Sequence, residues 1–175
     1  MSRNSMTTIE RIAIQPHEGD SVDLGSLGVA WKIEGFESEG RFSVVEHPIP
    51  PRTLAAALHF HHNEDEYSYV VQGTLGGLLG EHVVEAQAGS WVFKPRGEWH
   101  TFWNAGNTPC RIIELISPAG FENYFRDVAE VFAQAAGNPP DLERFAEVNE
   151  RYDLEMDFES IPRLCERFSL THPML

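Results

Sequence analysis

Between Val29 and Ser117 the chain is a succession of short β-type runs closed by glycine and proline: VAWKIEGF, RFSVVEHPI, EYSYVVQG, SWVFKP, HTFWNAG and RIIELIS. Gly73, Gly80, Gly89 and Gly106 recur at roughly 8- to 12-residue intervals, the punctuation of an all-β sandwich or barrel. The gap between EYSYVVQG and SWVFKP leaves room for one further hairpin strand around Gly77 to Val84.

After Ser117 the hydrophobic period changes from two to between three and four. Ser117-Pro118 reads as an N-cap with proline at the first helical position. Phe121, Tyr124, Phe125, Val128 and Phe132 then follow at helical spacing, with Gly137 as a stop. A second helix is expected from about Asp141 to Tyr152, and a shorter one from Ser160 carrying Leu164 and Phe168. Aromatics at this spacing are expected to pack on a barrel wall rather than to line a ligand site. The organisation expected is one domain, with a barrel and its N-terminal strands in 1–118 and a helical extension in 119–175 packed outside it.

Charge narrows the partners. Lys and Arg number 13 against 27 Asp and Glu, for a formal net charge of -14, and no basic patch with interleaved aromatics offsets it. Such a surface repels phosphate backbones, so neither nucleic acid nor an anionic membrane is an expected partner. The first residues, MSRNSMTTIERIAIQP, lack the apolar core of a secretory signal, and no window is apolar enough to span a bilayer. Cys110 and Cys165 lie far apart and form no C-x-x-C pair, so both are expected to be reduced structural thiols. A cytoplasmic location is the resulting expectation.

The chain has eight histidines, and three fall into a pattern. In His59-Phe60-His61, inside a strand-like run, alternation points both imidazoles the same way, with Cα atoms about 6.5 Å apart. Two imidazoles so placed can converge on one ion at about 2.1 Å each. Glu66 follows a polar stretch that can bend the chain back, and His100 sits in GEWHTFWN just after a Pro-Arg-Gly turn. Three imidazoles and one carboxylate suit one divalent transition metal ion (Fe, Mn, Ni, Co, Cu or Zn), with open positions for water, oxygen or substrate. Glu64 is the alternative carboxylate. His62 points away or lies at the bend, and His17, His47, His82 and His172 fit no pattern.

These residues resemble the two motifs of the cupin family. The first, G-x5-H-x-H-x3,4-E-x6-G, is met by His59, His61, Glu66 and Gly73, with Thr53 where its first glycine should stand. The second, G-x5-P-x-G-x2-H-x3-N, is met by Gly89, Pro95, Gly97, His100 and Asn104. The resemblance covers about Val29 to Ser117. It implies a double-stranded β-helix, a jelly-roll barrel, with His59, His61, Glu66 and His100 as metal ligands and a homodimer as the usual assembly.

By strand parity Phe102 shares a face with His100, Ser68 and Val70 share one with Glu66, and Trp91 and Phe93 form a further pair; all five are candidate pocket residues. Arg96 and Glu98 are expected to form an exposed turn pair. An apolar pocket without clustered Arg and Lys suits a small apolar or enolic molecule better than a sugar phosphate. The runs HHNEDEYSYVVQG and SPAGFENYF look like those of quercetin-dioxygenase-like single-domain cupins. That implies a metal-dependent oxygenase in which Glu66 takes or relays the substrate proton, with O2 as second substrate. The alternative is a non-catalytic cupin that binds a small molecule or the metal alone.

Overall fold

The computed structural model describes residues 13–135 and 140–173. Two antiparallel sheets face one another. One is built, in spatial order, from β1 (Ser21–Asp23), β2 (Gly28–Ile33), β3 (Ser43–Ile49), β10 (Cys110–Ser117), β5 (Asp65–Gln72) and β8 (Trp91–Lys94). The other runs β11 (Leu154–Asp157), β4 (Leu58–His61), β9 (His100–Asn104), β6 (Thr74–Leu79) and β7 (His82–Gln87). The chain crosses repeatedly from one sheet to the other, the jelly-roll arrangement that wraps a barrel around one core.

Alternation sets the inner surface of the first sheet. Ser43, Val45, His47 and Ile49 of β3, Cys110, Ile112, Glu114 and Ile116 of β10, and Glu66, Ser68 and Val70 of β5 are all buried. Each apolar member of this set stabilises the fold by about 1.5–3 kcal/mol relative to an exposed one. The stretch between β5 and β8 forms two strands rather than one. β6 and β7 pair from Thr74↔Gln87 to Leu79↔His82 around a turn in which Gly80 takes φ +55°. Gly76 of β6 lies under the Trp103 indole, where a Cβ would come within 2.1 Å of Nε1.

The C-terminal segment departs from the sequence expectation in two ways. Ser117 ends β10 and caps nothing; a short 3-10 turn at Phe121–Asn123 leads into α1 (Tyr124–Ala135). The expected stop at Gly137 lies outside the described residues. The extension is also not purely helical, because β11 joins the five-stranded sheet, pairing with β4 from Leu154↔His61 to Asp157↔Leu58. Its alternation is too short and too acidic to announce a strand.

The two later helices stand where expected. Asp141 caps α2 (Leu142–Arg151), its side chain accepting from the amides of Glu143 and Arg144. α3 (Ser160–Phe168) covers the outer face of β9, so every residue of β9 is buried. There Leu54, Trp103, Ile161, Leu164 and Cys165 form a second small core, and the Trp103 and Phe168 rings stack at 4.3 Å. Arg52, at φ +53°, fixes the end of α3 to the barrel: its guanidinium donates to the carbonyls of Phe168, Ser169 and Ala105. Thr53, standing where the motif expects glycine, needs no left-handed backbone because Arg52 has taken that conformation; Thr53 bridges to Thr171 instead.

Candidate metal centre

Three strands deliver four side chains to one point inside the barrel. β4 contributes His59 and His61, β5 contributes Glu66, and β9 contributes His100, which stands directly opposite His59. All four are buried, with exposures of 5, 1, 4 and 1%. One ligand atom from each lies within 4.8 Å of the other three. The turn that brings in His100 is held by Gly97, at φ +79°, whose amide donates to the His61 carbonyl. Asn104, the last residue of the second motif, pins the following loop by donating to the carbonyls of Ile49 and Thr108 and accepting from the Gly106 amide.

Hydrogen bonds on the far side of two imidazoles orient the near side. Nδ1 of His59 lies 2.8 Å from the Ala57 carbonyl, and Nδ1 of His100 lies 2.9 Å from that of Glu98. A carbonyl only accepts, so each Nδ1 carries the proton and each neutral ring turns a lone pair on Nε2 inward. Burial and the neighbouring imidazoles of His100 and His61 push His59 well below its ordinary pKa, and burial lowers His100 against the pull of Glu66. Both rings are therefore neutral at physiological pH.

Nε2 of His61 and Nε2 of His100 meet the Glu66 carboxylate at 3.6 and 3.4 Å. Those separations are long for hydrogen bonds, and both nitrogens are buried without a partner. The His100 lone pair facing a carboxylate across such a gap is unfavourable unless a cation lies between them. The distances approach the edge of about 3 Å between adjacent ligands in an octahedron with bonds of about 2.1 Å. The donor set thus fits a divalent metal. Glu64 does not join it: its carboxylate lies 3.6 Å from Nδ1 of His61, on the opposite side of that ring.

Behind Glu66 lies a chain of charges that the sequence pattern does not reveal. Lys94 faces Glu66 across the β5–β8 pair, and its ammonium lies 2.8 Å from both the Glu66 and the Glu114 carboxylates. Ser68 also donates to Glu114, at 2.8 Å. Burial opposes charge on all three ionisable groups. The Lys94 ammonium nevertheless holds Glu66 well below the usual carboxylate range, and the two carboxylates raise Lys94. Glu114 goes the other way, pushed up to about 7 by burial against the attraction of Lys94. One cation shared by two carboxylates leaves Glu114 as the member that takes a proton near neutrality.

The metal constellation opens on a cavity of about 100 Å³. His59 and Glu66 form its polar edge, while Phe102, Phe121, Tyr124, Phe125, Val128 and Phe145 supply much of the remaining wall. The helical aromatics that sequence spacing assigns to barrel packing therefore line the pocket, because α1 and α2 present their apolar stripes to the barrel interior. Phe121 also stands edge-on to His61, with ring centroids 4.4 Å apart.

Of the five pocket candidates, Phe102 lines the cavity. Ser68 and Val70 lie in the barrel interior, one holding Glu114 and the other buried in the core. Trp91 and Phe93 do not belong to the pocket: they are 63 and 49% exposed and lie over Tyr69 and Tyr67 on the outer face of the sheet. Alternation in β8 puts Val92 and Lys94 inside, and choosing the more hydrophobic face inverts the strand. Arg96 forms a two-pronged bridge with Asp65 near the surface, and His62 meets Glu155. Cys110 and Cys165 are buried and free.

Residues 46–116 match the Cupin domain family. The segment that carries all four ligand candidates is thus similar to a cupin domain. A stretch of 60 residues is 33% identical to the tetracenomycin polyketide synthase protein TcmJ of Streptomyces glaucescens, covering 34% of this chain and 40% of that protein. The chain thus spans about two fifths of the length of that relative. Among solved structures, a predicted oxalate decarboxylase from Thermotoga maritima superposes with a TM-score of 0.57 at 20% identity, covering 61% of this chain and 99% of that one. KdgF from Halomonas sp. superposes with a TM-score of 0.54 at 19% identity, covering 61% and 93%. Identities this low establish the cupin fold and leave the reaction to be argued from the site.

Proposed function

We propose that this chain is a metal-dependent enzyme of oxygenase type that acts on a small, mostly apolar, enolic substrate. The observation that carries the reading is the joint exposure of His59 and Glu66 to an apolar, aromatic-walled cavity, so that one space is shared by metal ligands and an oily substrate. A divalent ion bound by His59, His61, Glu66 and His100 would supply Lewis acidity and open positions for a substrate oxygen or O2.

The chain's own groups divide the remaining work. Glu66 is the carboxylate within the ligand cluster, and Lys94 keeps it ionised and oriented for accepting an enol proton. Phe102 and Phe121 restrict water around the reacting atoms. Lys94, the cation in this interior, is already shared by two carboxylates, which disfavours a phosphorylated substrate. The cavity, at about 100 Å³, is smaller than the roughly 150 Å³ that holds benzene, so it favours molecules of at most one ring.

The test is elemental analysis of the purified protein followed by oxygen uptake with the metal-loaded chain and a panel of small β-diketones and enols. Uptake that depends on both metal and substrate is expected. Silence across all metals and substrates would reject the enzyme and leave a ligand-binding cupin.

A further inference from the structure

One histidine outside the metal cluster is built into the cavity wall. His47, on β3, is 1% exposed and lines the cavity. Its ring packs edge-on against Phe125 at 5.1 Å and tilts toward Phe102 at 6.5 Å. Its Nδ1 lies 2.9 Å from the Gly28 carbonyl, which can only accept. The proton is therefore fixed on Nδ1, and Nε2 carries a lone pair. Among the described residues no donor reaches that Nε2. An acceptor on the wall of an apolar cavity gains a partner when a ligand bearing a donor enters.

A carboxyl group belongs to the same wall. Glu114 lies on β10, two residues from Ile112, which pairs with His47. Its Oε2 is held by Lys94 and Ser68, whereas Oε1 is buried with no partner, and the residue lines the cavity. A histidine acceptor beside a carboxyl group does not suit an anionic group on a ligand. It suits a hydroxyl.

We propose that His47 is a substrate-binding residue that accepts a hydrogen bond from a hydroxyl group on a ligand of about one ring, at a point of the cavity separate from the metal ligands. The inference deepens the reading of the cavity as the substrate site and rests on it. It adds a specificity element: the favoured substrate carries a neutral hydroxyl in addition to the oxygen that meets the metal. Its non-hydroxylated and methyl-ether counterparts leave Nε2 unpaired and bind less well.

The test uses phenol and toluene as probes of equal ring size, titrated into the chelator-treated, metal-free chain. Binding is followed by NMR of the histidine ring nitrogens. Phenol is expected to move the His47 Nε2 resonance, and toluene to leave it nearly unchanged. In His47→Leu the ratio of phenol to toluene affinity is expected to fall roughly tenfold, the worth of one buried hydrogen bond, with His47→Gln retaining more of the ratio. A ratio unchanged in His47→Leu overturns the assignment, as does a ratio lost only in Glu114→Gln, or the binding of neither probe. Metal stoichiometry, measured on the same samples, tests the metal centre independently. A His47 response in a chain that takes up no metal would support this inference while rejecting the proposed enzyme.

Discussion

Lys94 and Glu66 form a buried ion pair, 2.8 Å from ammonium to carboxylate, between residues directly opposite each other on β8 and β5. Glu66 is also the carboxylate of the metal constellation, so the residue that would hold the ion is itself held by a fixed positive charge. Removing one partner of such a pair leaves an uncompensated buried charge, which costs about 3–5 kcal/mol. Lys94→Met is expected to destabilise the metal-free chain by about that amount in urea unfolding. Added divalent metal should recover part of the loss, because the ion compensates Glu66. Adding Glu114→Gln should change this little, because without Lys94 the Glu114 carboxyl is already protonated near neutrality. A loss in Lys94→Met below about 1 kcal/mol would contradict the buried pair.

A metal ion held by these four side chains would add to the stability of the fold. A ligand that binds only the folded state at about 100 times its dissociation constant adds about 2.7 kcal/mol. For a chain of this size that corresponds to a rise in melting temperature of about 5–10 °C. The wild-type protein should show such a rise with its preferred divalent ion and lose it with chelator. His59→Ala combined with His61→Ala should retain the β-rich circular dichroism spectrum and show neither the rise nor stoichiometric metal. Full metal occupancy in that double variant would remove both histidines from the site.

The sequence made the metal cluster legible because its four members lie in two short stretches of fixed spacing, and strand alternation alone puts His59 and His61 on one face. Lys94, Glu114 and His47 were not legible for the opposite reason. Each is a polar residue inside an apolar run, and the partners each one has come from other strands. The alternation of β10 also gave no direction, since Ile113 and Leu115 on one face are as apolar as Ile112 and Ile116 on the other. The helical stripe of Phe121, Tyr124, Phe125 and Val128 was correctly helical, but its period cannot tell a barrel's outer wall from its cavity.

The inverted strand β8 has its own consequence. Trp91 is 63% exposed, whereas Trp31 and Trp103 are each 3% exposed. Trp91→Ser is expected to remove the fluorescence component most accessible to acrylamide while leaving metal stoichiometry unchanged. It breaks one ring contact with Tyr69 on an exposed face, which is worth about 0.2–1 kcal/mol. Loss of metal binding in Trp91→Ser would return this side chain to the pocket.

His47 gives the fold a defined response to acid. Burial lowers its pKa to about 4, with the Gly28 carbonyl bond opposing, Lys94 lowering it further, and Glu66 and Glu46 raising it. The unfolded chain, with an ordinary value near 6.5, takes up this proton first as the pH falls. The neutral ring therefore contributes its full stability above about pH 6.5 and loses it progressively toward about pH 4. The linkage over that window amounts to about 3 kcal/mol. His47→Gln lacks the titrating group, whereas His59 and His100 titrate alike in both proteins and cancel in the difference. In chelator-treated samples the stability of wild type relative to His47→Gln should thus fall by about 3 kcal/mol between about pH 7.5 and about pH 4. Urea unfolding at a series of pH values measures this directly; parallel curves for the two proteins would show that His47 is protonated as readily in the fold as in water.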